Sequence, residues 1–337
     1  MQALADPCAL RYDPLPAGSL AAREAVCRYY RGTGQTVHPD QVLLTASTSE
    51  AYQYLFKLLA DADDEVLVPR PSYPLFEFLA TMESLRVVSY PLLYDHGWSI
   101  DRDALAAAIT PRTRAIVLVN PNNPTGSFLK RDELSFLQSL GLPLVSDEVF
   151  ADYAFKDDPR RIRTLADGTE VLAFSMSGLS KIAGLPQMKL GWIVVSGPPA
   201  ARAEARDMLE WIADTYLSVS TPVQQAAPRL LELGQGIRDQ IAARVRANFT
   251  WLASAIGPAS PCRLLAVEGG WYATLQVPRV RREEQWALDL LEHDNVLVQP
   301  GFFFDFESEA FLVLSLLTQP ETFREGSRRL LARVDAS

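Results

Sequence analysis

Cysteine, histidine and lysine are all scarce in this chain of 337 residues. Three cysteines (Cys8, Cys27 and Cys262) lie far apart and are odd in number. They form no disulfide framework and no CxxC pair, which points to a reducing compartment, the cytoplasm. Three histidines (His38, His96 and His293) are equally scattered, so a histidine-rich metal site is excluded and no metal is expected. No apolar run approaches the ~18 residues that a membrane span requires. The first residues, MQALADPCALRYDPLPAG, carry neither a basic start nor a long apolar stretch, so they do not read as a signal peptide. Lys+Arg is 32 against Asp+Glu 41, a net charge of −9, which removes any global attraction for nucleic acid or anionic membrane. Only five of the 32 cations are lysines, and two of those, Lys181 and Lys189, fall within one short segment.

What is present is ordinary for a globular protein: 48% hydrophobic and 22% charged residues. The length suggests about two domains at roughly 150 residues each. Residues 19–31 pattern as an amphipathic helix capped by Ser19. From residue 41 to 195, short apolar runs alternate with helical patterns. The expected strands are 41–44, 65–68, 86–90, 115–119, 143–146, 171–175 and 190–195; the expected helices are 48–60, 74–83, 101–109 and 131–140. Uniformly apolar strands such as AIVLV belong in a sheet covered on both faces. The pattern changes after Ser196. Residues 199–254 are helical with a break at Thr221-Pro222, followed by strands at 263–267, 271–277, 296–298 and 311–316 and helices near 283–292 and 320–334. The fold class expected is therefore α/β: a large domain with a mostly parallel seven-stranded sheet sandwiched by helices, plus a smaller α+β C-terminal domain.

Three segments carry polar chemistry at the ends of these strands. Pro121-Asn122-Asn123-Pro124-Thr125-Gly126 follows AIVLVN and aims an amide into the crevice where open α/β sheets bind ligands; an Asn-Pro turn explains it equally well when taken alone. Asp147 ends the buried run LVSD, where a carboxylate needs a cationic partner or serves as a helix cap. Lys181 lies in the Ser- and Gly-rich stretch SMSGLSKIAGLPQMKLGW.

Together, in this order, NPNNPTG, SDEVFADY and SxLSKxxGLPxxKLGW resemble the class I/II aminotransferases, fold-type I enzymes that use pyridoxal 5′-phosphate (PLP). The resemblance runs from Tyr12 to about Arg333. It implies that Lys181 forms the Schiff base with PLP and later moves the substrate proton, work suited to an amine whose pKa falls on partial burial. It implies further that Asp147 pairs with the pyridine nitrogen, Asn123 bonds the ring 3′-oxygen and Tyr73 stacks on the ring. Ser47, Thr48 and Ser49 would hold the phosphate at a helix start, with Ser180 and Lys189. Tyr12 would reach the phosphate of a neighbouring subunit, which requires a homodimer with shared active sites. The implied organisation is 1–30 associated with the small domain and the dimer interface, 31–220 as the PLP-binding domain and 221–337 as the small domain.

Four positions depart from the common pattern. Phe150 replaces a tyrosine that donates to the 3′-oxygen, Lys189 replaces an arginine fork with a point charge, and Gly178 replaces a serine. Val313 stands where a strand arginine clamps the substrate carboxylate; Arg324, Arg328 and Arg329 on the next helix are poor substitutes. The family's usual leader before the Tyr12 region is expected to be missing. Gly269-Gly270-Trp271-Tyr272 resembles the small-domain strand beside the substrate, although Trp271 suits the core equally. The expected function is amino transfer from an amino acid to a 2-keto acid. The alternatives are a PLP-dependent lyase or cyclase, an amine transaminase, or a non-catalytic PLP-binding regulatory module.

Overall fold

Twelve strands, in two sheets, organise the computed structural model, which describes residues 2–337. The large sheet holds β1 (Val42–Thr45), β2 (Glu65–Arg70), β3 (Arg86–Tyr94), β4 (Trp98–Ile100), β5 (Thr113–Val119), β6 (Leu144–Asp147), β7 (Ala173–Gly178) and β8 (Gly191–Ser196). Their spatial order is β1-β8-β7-β6-β5-β2-β3-β4. Neighbours from β3 through β2, β5 and β6 to β7 are parallel, whereas β8 runs antiparallel to both β1 and β7.

The expected count of seven strands becomes eight. The addition is β4, which folds back on β3 as a hairpin at the sheet edge. A three-residue strand after Asp95-His96-Gly97 is too short to show a period of two. The expected helices are present as Thr48–Leu59, Phe76–Met82, Arg102–Ala107 and Arg131–Ser139. Ser47 caps the first of them and Asp101 the third, each accepting a backbone N–H three residues on. The sheet interior is largely apolar where helices cover both faces, with Leu67, Val117, Val145, Phe174 and Ile193 all buried, although Ser146 and Ser175 are buried there too.

The smaller sheet contains β9 (Arg263–Leu264), β10 (Tyr272–Gln276), β11 (Gln299–Pro300) and β12 (Phe311–Ser315), in the order β11-β12-β10-β9 and antiparallel throughout. The strand expected at 296–298 lies further on, at Gln299–Pro300. Val298 is buried as its apolarity requires, but the backbone pairs with Leu312 and Val313 only from Gln299.

The helical stretch does break as its prolines demand, into Pro199–Tyr216 and Thr221–Ala255, with Pro222 in the first turn of the second. The second helix has 35 residues and crosses the whole molecule. Its Ala227 joins the core between the helix Leu20–Gly32 and the strands β1 and β8, while Val245 and Leu252 join the core of the small sheet.

Met1 lies outside the described residues. The helix Leu20–Gly32, in the segment expected to accompany the small domain, buries Ala22, Val26 and Tyr30 against Val42, Leu44, Trp192 and Val194 of the large sheet.

Candidate active site

The ends of β5, β6 and β7 are in register, with Val119 opposite Asp147 and Asp147 opposite Met176. The chain leaving each end therefore enters one crevice, a cleft of about 280 Å³. Lining it are Ser47, Thr48, Ser49, Tyr52, Tyr73, Asn123, Asp147, Phe150, Gly178, Ser180, Lys181 and Tyr272 among others. Eight of the ten residues expected at the cofactor thus meet in one place. The other two do not line it. Lys189 is exposed beyond the turn Pro186–Met188, in a left-handed conformation. Tyr12 is 81% exposed.

Lys181 sits in the short helix Leu179–Ile182 after β7. The long helix backs this turn closely: a Cβ on Gly234 would lie 2.6 Å from that of Ala183. The Lys181 carbonyl accepts a hydrogen bond from the Tyr153 hydroxyl at 2.5 Å. Its Nζ lies 5.0 Å from the Trp271 ring centre and 5.6 Å from that of Phe150, and the two rings meet edge to face at 5.2 Å. Burial under these rings pushes the amine pKa down, and Asp147 partly opposes the shift.

Asp147 shows the converse effect. Burial raises its carboxyl to about 6, against the opposing influence of the Val149 N–H (3.2 Å), the Tyr52 hydroxyl (3.4 Å) and Lys181. Acid and amine are thus both biased towards their neutral forms, an arrangement common at functional sites. Glu148, next along, is also pushed up by burial, to about 7, but its oxygens are taken by the Thr164 hydroxyl, the Leu165 N–H and the Ser175 hydroxyl. It supports the loop at 164–165 behind the site.

The three asparagines of the NPNNPTG turn divide their labour. Asn120 accepts from the Leu129 N–H and donates to the Ile162 carbonyl. Asn122 accepts from the Ser72 hydroxyl (2.8 Å) and donates to the Pro71 carbonyl (3.0 Å), tying the turn to the segment that carries Tyr73. Asn123, 7% exposed, faces the cleft, and its Oδ1 has no partner among the described residues. A buried acceptor of this kind calls for a ligand atom.

At the start of Thr48–Leu59, the Ser47 hydroxyl takes the Glu50 N–H. Thr48 and Ser49 line the cleft at the start of this helix, where the dipole favours an anion.

The departures acquire physical reasons. A Cβ on Gly178 would meet the Leu190 carbonyl oxygen at 2.8 Å, so no serine fits there. Phe150 packs in the small-domain core with Tyr153 and Trp271. Val313 is 1% exposed inside a cluster of Trp98, Leu265, Phe304, Phe306 and Phe311.

Sequence reasoning missed the roles of Tyr52 and Tyr153, while Tyr272, read as part of the strand beside the substrate, does line the cleft. Tyr52 alone left a signal: it lies four residues after Thr48, on the same helix face. The position of Trp271 is set by a latch. Glu268 receives Lys130 Nζ and Arg161 Nε, each at 2.7 Å, while the Glu268 and Gly269 N–H groups donate to the Gly126 carbonyl.

Three comparisons with known proteins agree. The family model described as aminotransferase class I and II matches residues 7–330. Nicotianamine aminotransferase B of Hordeum vulgare is 34% identical over 229 residues, covering 65% of this chain and 41% of that protein. Glutamate-pyruvate aminotransferase AlaA of Escherichia coli is 28% identical over 301 residues, covering 86% of this chain and 74% of that one. Among solved structures, an alanine aminotransferase from Pyrococcus furiosus superposes with a TM-score of 0.87 at 25% identity, over 97% of this chain and 84% of the other.

Proposed function

Because the chain belongs to the class I and II aminotransferases, a family of PLP-dependent transferases, we propose that it moves an amino group from an amino acid to a 2-keto acid. The observation that carries this reading is the pair Lys181 and Asp147, facing one cleft with both pKa values displaced towards neutrality.

The residues present fit the cofactor. Asn123 presents to the cleft a buried side-chain amide whose Oδ1 has no partner among the described residues and whose N–H₂ can donate to the ring 3′-oxygen, the Thr48 and Ser49 end of a helix suits a phosphate, and Asp147 suits a protonated pyridine nitrogen. When bound, PLP supplies an electron sink that stabilises negative charge at the substrate Cα. Lys181 is the residue that would hold it covalently. The same Nζ, boxed by Phe150 and Trp271 and depressed in pKa by burial, can accept a proton from the substrate and return it. The two rings also shield that nitrogen in part from water. Asp147 keeps its charge when a cation faces it, because the cation repays the desolvation that raises it in the free protein. Tyr52, within 3.4 Å, helps to fix the carboxylate plane.

The same reading holds that two subunits share their sites through the exposed Tyr12, that Lys189 and Ser180 act at the phosphate, and that the enzyme works in the cytoplasm with its three cysteines free. No helix among the described residues is long and apolar enough to cross a membrane.

The test is borohydride reduction in the presence of PLP, followed by peptide mapping and a donor screen. A phosphopyridoxyl label on Lys181, and pyridoxamine phosphate released with an amino acid donor, are the expected results. Absence of the label would refute the assignment of Lys181. A labelled protein that yields an eliminated or cyclised product and no pyridoxamine phosphate would favour the lyase alternative.

A further inference from the structure

An amino acid brings a carboxylate as well as an amine. Moving a carboxylate out of water is unfavourable unless a cation or several N–H groups receive it. Lys181 is the single cation among the residues lining the cleft, and the proposed chemistry already occupies it. The strand β12 offers nothing, because Val313 is sealed inside its aromatic cluster.

A second hollow, of about 790 Å³, adjoins the cleft and shares Tyr73, Phe76 and Tyr272 with it. Two arginines line the hollow. Arg86 is already paired, its Nη2 lying 3.1 Å from Asp63. Arg70 is different. Its Nε donates to the Asp305 carbonyl at 2.8 Å, which fixes the plane of the guanidinium. Among the described residues no carboxylate pairs with it, although Glu77 and Asp305 line the same hollow.

The position of Arg70 is also determined. It is the last residue of β2, on the strand-end side of the sheet that carries Asp147 and the turn of Asn123. The two residues after it are tied down on both sides. Asn122 holds the Pro71 carbonyl and the Ser72 hydroxyl, and the Ser72 N–H donates to the Phe304 carbonyl at 2.9 Å. Asn122 in turn precedes Asn123, which faces the cleft. Arg70 is therefore held rigidly relative to the site, with the Nη edge of its fork left for a ligand. A planar fork matches a carboxylate with two parallel hydrogen bonds, and prior fixation of its Nε lowers the entropy lost on binding.

We propose that Arg70 is the residue that binds the substrate carboxylate, in place of the arginine that β12 lacks. The proposal rests on the aminotransferase reading. The aromatic walls of the hollow, Tyr73, Phe76, Phe302 and Phe303, choose the probe.

The test uses full-length protein incubated with PLP and measures, by calorimetry, binding of 3-phenylpropionate and of its neutral counterpart 3-phenylpropanol. Neither can transaminate. The wild type binds the acid at least about ten-fold more tightly than the alcohol, and Arg70→Ala and Arg70→Gln each lose about ten- to hundred-fold for the acid alone. Arg70→Lys recovers only part, because a point charge does not reproduce the fork. Arg86→Ala keeps the preference. A wild type with no preference for the acid, or a preference that survives both Arg70→Ala and Arg70→Gln, overturns the proposal. Labelling of Lys181 in the same preparations separates the two readings. A labelled wild type without acid preference sinks Arg70 alone, whereas an unlabelled one sinks the Lys181 assignment.

Discussion

Replacing Asp147 by asparagine is expected to stabilise the cofactor-free protein while abolishing tight cofactor binding. Burial raises the Asp147 carboxyl from 3.8 to about 6. An acid whose pKa is higher folded than unfolded destabilises the fold when charged. Between the two values the folded state binds more protons, so stability falls as pH rises through that window. A displacement of this size corresponds to a penalty of about 3 kcal/mol at pH 8 and roughly half of that at pH 5. Asparagine removes the charge. It also presents one N–H₂ to two existing donors, the Val149 N–H and the Tyr52 hydroxyl, and the mismatch costs about 1 kcal/mol. The net expectation for Asp147→Asn is a gain of about 2 kcal/mol at pH 8 that shrinks to about 0.5 kcal/mol at pH 5. Urea denaturation of cofactor-free wild type and variant at both pH values measures it. Saturating PLP should then restore the advantage to the wild type, since a ligand that binds only the folded state stabilises it by mass action. A variant that is less stable than wild type at pH 8, or a difference that does not change with pH, would refute the argument.

Other perturbations probe the surroundings of Lys181. Glu268→Gln leaves Lys130 and Arg161 facing each other largely shielded from water, and should cost about 2 kcal/mol in urea, the remaining solvent share reducing the full buried-pair value; a loss below about 0.5 kcal/mol would remove the latch from the account. Gly126→Ala should be harsher. The backbone there has φ +70°, and a Cβ would sit 2.4 Å from Val267 and 2.5 Å from the Gly269 carbonyl oxygen, so a loss of about 3 kcal/mol is expected, with a changed near-ultraviolet signal from Trp271. Tyr153→Phe removes the hydrogen bond to the Lys181 carbonyl. It should cost about 1 kcal/mol and slow PLP labelling of Lys181, and unchanged labelling kinetics would reduce that bond to a structural role.

The parts of the fold legible in the sequence were those with local causes. Ser47 and Asp101 announce helix starts because a cap acts over three residues. The strand β5 is readable because a doubly covered strand must be apolar throughout. Asn123, Asp147 and Lys181 could be placed together because each follows a strand end, and strand ends of a parallel sheet face one crevice. Features that depend on distant partners were not legible. The strand β4 exists only by pairing with β3, and the strand near 299 starts where β12 lies beside it. Glu268 meets Lys130 and Arg161 across 138 and 107 residues of chain. Val313 read as a lost ligand; the structure adds that Phe304 and Phe306, together with Trp98 from β4, close over its side chain, so the position is now part of a core.

The helix Thr221–Ala255 has a consequence for cooperativity. Its first half completes the core under β1 and β8, and its second half completes the core of the small sheet. A cut before residue 221 would expose apolar surface in both pieces, because one piece loses Ala227 and the other loses the helices Leu20–Gly32 and Leu179–Ile182 that the long helix packs against. Neither half is then an autonomous folding unit, and the boundary at 221 marks a change of topology within one unfolding transition. Calorimetry should record a single endotherm, and Lys181, whose turn is backed through Ala183 by Gly234 of that shared beam, should lose its surroundings only when the whole molecule melts.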